Sequence, residues 1–374
     1  MSGILVHEWL APRGGSENVF EVLSDVFPDA ERWCLWNDSD GRFESVNETW
    51  LARTPLRRSK AAALPFMPAA WRSLPRRDAD WVLCSSHAFA HHARFRATVD
   101  GSDIPKLVYA HTPARYVWVP ETDARGQNAL ARLVSAALRP LDRRRAQEPV
   151  AVAANSRYVA ARIERTWERE ATVIYPPVDV ERFAARPRLT ADEEQTVTGL
   201  PDEYVLGASR FVEYKRLDEV IRAGSLSGLP VVLAGAGPHE MQLRALADAA
   251  DIPVMFVIDP SQDLLAELYR RASLLVFAPV EDFGIMPVEA MAAGTPVVVN
   301  ARGGAAESVV DGVTGVHVAT WESDADVTDA VRRARSLSAQ ACRERAGEFS
   351  VAAFARRVHG WVDVSTDPTR KVHA

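Results

Sequence analysis

The chain has 374 residues, 47% hydrophobic and 25% charged, with a formal net charge of −6. This composition supports a large core and excludes a disordered chain, and the acidic balance excludes a general nucleic-acid binder. At about 100–200 residues per domain, the length fits two or three domains.

Cys34, Cys84 and Cys342 form no metal-ligand spacing and leave an odd thiol, which fits a reducing cytoplasm. Met1 to His7 runs straight into a strand with no signal peptide, and no apolar run reaches about 18 residues. A soluble chain, or one peripheral on the inner face of a membrane, is expected.

Ile4-Leu5-Val6 reads as a first strand, and Gly14-Gly15-Ser16-Glu17 as the loop before a helix. A glycine pair there lets a ligand approach the backbone, but Gly-Gly before a helix is more often an ordinary turn. Short apolar runs at Trp33–Leu35, Trp81–Cys84, Leu107–Tyr109 and Val150–Ala153 alternate with helical segments. That alternation predicts a parallel sheet covered on both faces, with ligands at the carboxyl ends of its strands. Two of those ends carry chemistry: Ser85-Ser86-His87, and His111-Thr112-Pro113-Ala114-Arg115. His111, held by a Thr-Pro turn, suits donation to a hydroxyl or to a developing charge; a structural loop histidine is the other reading. Ser86, His87 and Arg115 are further candidates, on the side of an acceptor.

Residues 51–77 differ from the rest. Arg53, Arg57, Arg58, Lys60, Arg72, Arg76 and Arg77 occur there with no acid, interleaved with Leu64, Phe66, Met67, Trp71 and Leu74. The mixture suits an anionic membrane surface or a lipid-diphosphate acceptor, and equally a solvated rim packed on the sheet. Further on, Ser156 reads as a helix N-cap, and Pro176-Pro177 stiffens a crossing between domains. The expected division is a domain over 1–184, a second over 185–348 and a helical tail over 349–374.

In the second half, Tyr204–Ser209 is a strand, and Arg210 and Lys215 follow it. Two cations at a strand end suit a diphosphate, Arg bidentately and Lys as a point charge. Gly235-Ala236-Gly237 lacks a third glycine and is no dinucleotide fingerprint. Leu274–Phe277 is a strand that leads into Glu281-Asp282-Phe283-Gly284-Ile285-Met286-Pro287-Val288-Glu289. A helix is expected to open near Gly284 and close at Gly294. Its first N–H groups point outward with no intrahelical partner, which makes an anion site. Glu281 on the loop and Glu289 on the helix add carboxylates. Acids beside an anion site suit a ligand with hydroxyls as well as phosphate, such as a nucleotide sugar.

This stretch resembles the E-x7-E motif of family-4 retaining glycosyltransferases of the GT-B fold. Gly14-Gly15-Ser16-Glu17 is similar to a glycine loop of that family, and Arg210 and Lys215 match its pair of cations. His111-Thr112-Pro113 through Trp118 resembles a segment of mannosyltransferase-like members. The resemblance implies an α/β chain: two doubly wound Rossmann-like domains with parallel sheets, facing across a cleft. It implies transfer of a hexose from GDP-mannose, with a UDP-hexose as the alternative donor, to a lipid-linked glycan or other hydroxyl acceptor. By the same resemblance, His111 and Glu281 hold the sugar, and Arg210 and Lys215 hold the diphosphate near Gly14 and Gly15. The backbone of Phe283, Gly284, Ile285 and Met286 meets the sugar, and Glu289 holds the ribose. No cofactor and no metal are implied. A metal-dependent rival would use Asp38-Ser39-Asp40, but such triplets recur at 78–80 and 324–326, as chance gives. A sugar-nucleotide epimerase and a non-catalytic binding protein are the other rivals.

Overall fold

The computed structural model describes residues 2–118 and 129–367, and of 129–134 the backbone alone. Its contacts divide the chain into two units, Met1–Pro176 with Phe354–Ala374, and Pro177–Ala353. The first division falls before residue 184 because the helix Val180–Ala184 packs on the helix Ile285–Ala293 of the second unit. The second falls after residue 348, inside the helix Val351–Thr366. Residues 368–374 of the expected tail lie outside the described residues.

Unit 1 holds seven strands: β1 (Gly3–His7), β2 (Glu31–Cys34), β3 (Val46–Glu48), β4 (Trp81–Ser86), β5 (Lys106–Ala110), β6 (Ala151–Ala154) and β7 (Thr172–Val173). They pair in parallel in the order β3-β2-β1-β4-β5-β6-β7. Successive side chains point to opposite faces, so an unbroken apolar strand needs cover on both. Ile4, Val6, Val82, Cys84 and Val108 enter one core, with Trp71 and Trp167. Leu5, Leu83, Leu107 and Tyr109 enter the other, which Phe354, Val358, Trp361 and Val362 complete. The terminal helix is therefore part of the unit 1 core. β3 and β7 escaped the sequence reading because they are short edge strands, half-exposed in most positions, with no apolar run.

Unit 2 holds six parallel strands: β8 (Val205–Ala208), β9 (Val231–Gly235), β10 (Val254–Ile258), β11 (Leu274–Phe277), β12 (Val297–Asn300) and β13 (Gly315–Val318). Their order is β10-β9-β8-β11-β12-β13. In each sheet the strand order reverses at one place, between β1 and β4 and between β8 and β11. Such switch points open a crevice at the strand carboxyl ends.

Residues 51–77 pack on the sheet, as the second of their two readings expects. They fold into short helical turns, and Met67 and Trp71 are fully buried in the unit 1 core rather than presented outward. Arg57, Arg72 and Arg77 pair with Asp38, Glu148 and Glu31. Phe66 does stay exposed, as do Arg53, Arg58 and Arg76. No helix among the described residues is long and apolar enough to cross a membrane.

Candidate active site

At the switch point of unit 2, the segments after β8 and β11 bring Lys215 and Glu281 into an ion pair. Both side chains are largely covered, at 12% and 23% exposure, so the pair is only partly screened by water. Arg210 stands exposed nearby in sequence, its Nη2 donating to the Tyr214 hydroxyl at 3.0 Å. Its backbone is fixed from below. A Cβ on Gly235 would lie 1.8 Å from the Ser209 carbonyl oxygen, and one on Gly237 would lie 2.4 Å from that of Phe211. The Gly-Ala-Gly turn thus packs directly on the Ser209–Phe211 backbone.

The helix Ile285–Ala293 starts at Gly284 with φ 82°, and no side chain caps it. Ile285 and Met286 therefore offer free-ended N–H groups, while Pro287 has none to satisfy. The loop before the helix rests on a second glycine pair. Gly304 N–H donates to the Glu281 carbonyl at 2.7 Å, and a Cβ on Gly304 would lie 2.0 Å from the Asp282 oxygen. Phe283 is buried and tilted against Phe349 at 5.6 Å between ring centres. Glu289 lies one turn into the helix and accepts from the Tyr269 hydroxyl at 3.0 Å. Burial pushes its carboxyl up to about 7, with the Tyr269 bond pulling the other way. Gly294 closes the helix at φ 94°.

At the switch point of unit 1, β1 and β4 pair His7 with Ser85. His7 Nδ1 lies 3.1 Å from Ser85 Oγ, which lies 2.8 Å from His111 Nε2. The His87 ring stands 5.5 Å from His7 and 6.2 Å from His111. All three imidazoles are held neutral. Burial lowers His7 well below the usual range, with His87 and His111 adding to it. Burial likewise lowers His87 to about 3 and His111 to about 4. Ser86 is fully buried and bonded to Glu8 and His91, so it faces the interior and not an acceptor. Glu8, also fully buried, accepts from the backbone N–H of Ala88 at 2.8 Å and of Ala90 at 2.7 Å. That ties the end of β1 to the loop after β4. Arg115 is exposed at the start of the helix Arg115–Trp118.

The glycine loop has a local explanation. A Cβ on Gly14 would lie 2.0 Å from the Glu17 carboxylate, which sits in the first turn of the helix Gly15–Val26. The close approach that Gly14 permits is that of the chain's own acid.

His91, His92 and Asp142 are a buried group with metal-ligand atoms close together. Asp142 Oδ2 already accepts from the indoles of Trp118 at 2.7 Å and Trp167 at 2.8 Å. Its Oδ1 faces His91 and His92 at 3.1 Å each. Burial alone would raise this carboxyl; the two histidines outweigh it and hold it below the ordinary range. With both oxygens engaged, the group is a strut joining three helices and the loop after β4.

His7, Glu8, Tyr269 and the Gly303-Gly304 pair carry no signal in the sequence alone, and Ser85 shows only as part of a polar strand end. They matter through strand adjacency. His7 and Ser85 are 78 residues apart, and only the order β1-β4-β5 makes them neighbours of His111.

The family description "Glycosyltransferase Family 4" matches residues 13–182, and "Glycosyl transferases group 1" matches residues 190–349. Together they span both units. The chain belongs to glycosyltransferase family 4. Among curated relatives, the D-inositol 3-phosphate glycosyltransferase of Mycolicibacterium smegmatis is 33% identical over 195 residues, 48% of this chain. That match spans 44% of the relative's length. Anabaena Alr3699/HepE, solved in complex with UDP, superposes with a TM-score of 0.69 at 16% identity, over 96% of this chain and 100% of that one. A sucrose-phosphate synthase from Thermosynechococcus elongatus superposes with a TM-score of 0.69 at 18% identity, over 96% and 98%. This family-4 chain thus has an α/β fold of the GT-B class, two doubly wound units with parallel sheets.

Proposed function

We propose that this family-4 chain is a retaining glycosyltransferase that moves a hexose from a nucleoside diphosphate sugar to a hydroxyl acceptor. The observation that carries the reading is the Lys215–Glu281 ion pair beside an uncapped helix start, at the switch point of unit 2. Arg210, Lys215 and the N–H groups of Ile285 and Met286 stabilise the charge that develops on the departing diphosphate. Glu281 accepts from sugar hydroxyls, and its ion pair with Lys215 holds its carboxylate in place. Glu289 accepts from the ribose hydroxyls. Those bonds favour its charged form and draw its raised pKa down on binding. His111 gives the sugar a neutral hydrogen-bond donor.

The donor is GDP-mannose, a reading supported by the His-Thr-Pro segment at 111–113. A UDP-hexose is the second reading, supported by the UDP and UDP-glucose complexes of Alr3699/HepE. The acceptor is a lipid-linked or other glycan. Exposed Arg53, Arg58 and Phe66 support that choice, with an anionic membrane surface as the setting. Cations and helix N–H groups take the role a metal would play, so turnover is independent of metal.

A donor panel tests this. GDP-mannose, UDP-glucose and UDP-galactose are screened by protection against melting, then by transfer to glycan acceptors. One donor should protect, and the product should keep the anomeric configuration of the donor, read by NMR. Protection by none, or an inverted product, overturns the reading. Turnover should survive EDTA; its loss, with recovery on added magnesium, removes the metal-free mechanism.

A further inference from the structure

Three side chains in unit 1 form a hydrogen-bonded row, His7 Nδ1 to Ser85 Oγ to His111 Nε2, at 3.1 and 2.8 Å. Their backbones are set by adjacent parallel strands. β1 pairs with β4 through His7 and Ser85, and β4 pairs with β5 through Ser86 and Ala110. The His111 N–H then bonds the Ser86 carbonyl at 2.8 Å. The row has little freedom to rearrange.

We propose that Ser85 is a positioning residue that fixes His111 in the tautomer protonated on Nδ1, so that His111 meets its ligand as a neutral donor. The role in transfer rests on the reading that His111 touches the sugar; the tautomer does not.

A serine hydroxyl has one proton, and a neutral imidazole carries one on nitrogen. In one direction, His7 Nδ1–H donates to Ser85, and Ser85 donates to His111 Nε2. In the other, His111 Nε2–H donates to Ser85, and Ser85 donates to His7 Nδ1. The two differ at the far nitrogen of His7. Nε2 of His7 is buried with no partner. The first direction leaves it a bare lone pair, and the second an orphaned N–H. A buried orphan donor is the rarer and costlier of the two. The first direction therefore prevails and puts the His111 proton on Nδ1. Among the described residues, no hydrogen bond engages that nitrogen. Burial keeps both rings neutral, so neither escapes the choice by taking a second proton.

A long-range proton–nitrogen spectrum of the full chain with nitrogen-15 histidine, at pH 7.5, reads the tautomers directly. His111→Gln assigns the peak of His111, and His7→Gln that of His7. Both rings should carry the proton on Nδ1. Ser85→Ala should shift His111 toward Nε2–H and lower kcat about tenfold with KM little changed, the loss expected for one oriented hydrogen bond. Ser85→Thr, which keeps the hydroxyl, should restore both. A wild-type His111 protonated on Nε2 overturns the proposal, and so does a Ser85→Ala spectrum with the tautomer unaltered. Should Ser85→Ala fail to fold, the wild-type spectrum alone decides. The spectrum needs no donor and no turnover. An Nδ1–H His111 in a chain that transfers no sugar would refute the transferase reading and leave this one standing.

Discussion

The crevice between β8 and β11 is lined by charge, with Lys215 paired to Glu281, Arg210 exposed, and an uncapped helix start. The crevice between β1 and β4 is lined by His7, His87 and His111, which burial and mutual proximity hold neutral. The same topology thus yields opposite electrostatics. In unit 2 the charges of Lys215 and Glu281 are opposite and paired, so each offsets part of the other's desolvation cost. In unit 1 the imidazoles are packed within about 6.4 Å of one another, so no ring can take a proton without desolvation and repulsion. Fixed charge suits a diphosphate. Neutral, oriented nitrogens suit hydroxyls.

The comparison is sharpest at Lys215. Lys215→Ala should cut kcat by about 1,000-fold, a loss of the size seen when one transition-state donor is removed. The melting temperature of unit 2 should change little, because the pair is partly solvated. Steady-state kinetics and circular dichroism melts check both; a loss below tenfold would mean that the charge in unit 2 is structural.

The converse experiment is in unit 1, at the buried strut. Asp142→Asn should destabilise unit 1 by about 3 kcal/mol, because a buried network of two indoles and two histidines loses its charged acceptor. At roughly 2–4 °C per kcal/mol this is visible in a melt. An unchanged melting temperature would show that the network is not needed for folding.

Arg210→Ala comes next. Among the described residues the Arg210 side chain bonds to Tyr214 alone, so its removal should cost little stability. It should lower kcat/KM about 30-fold, the value of one charged hydrogen bond to a phosphate. Equal kinetics in mutant and parent would leave the diphosphate to Lys215 and the helix.

The smallest effect tests the one acid in unit 2 that behaves as a buried group. Glu289 has its pKa raised to about 7 in the folded chain, above its ordinary value of 4.5. Between those values the folded state binds more protons than the unfolded one, so stability falls as pH rises through the window and is lowest above about 7. Glu289→Gln should therefore stabilise the ligand-free chain at pH 8, and the gain should shrink as the pH falls toward 4.5. It should also weaken donor binding. No gain at pH 8, by urea titration, would mean that Glu289 is ionised at little cost.

Much of this was legible in the residues. Apolar runs such as Leu83 and Leu107 in their strands marked β1, β4, β5, β8, β9 and β11, because a strand buried on both faces cannot hide its composition. The 281–289 stretch marked its loop and helix through Gly284, Pro287 and Gly294, each explained by backbone geometry. Edge strands such as β3 and β7 were missed, because their stability comes from a neighbour more than from their own side chains. The stretch at 51–77 left two readings open for a related reason: its charges mark a surface, while Met67 and Trp71 lie on the inward side of short helical turns. The sequence shows that both kinds of residue are present and not which way each turns.

By itself, the sequence determined the parallel α/β class, the helix start after Gly284 and the supply of cations and acids around it, because these follow from local pattern and backbone chemistry. Only the tertiary structure decided that Lys215 meets Glu281, that Gly14 makes room for Glu17, and that His7, Ser85 and His111 share one row. Those facts depend on strand order. Strand order is set by which apolar faces bury one another across the whole chain, and no short window of sequence contains that information.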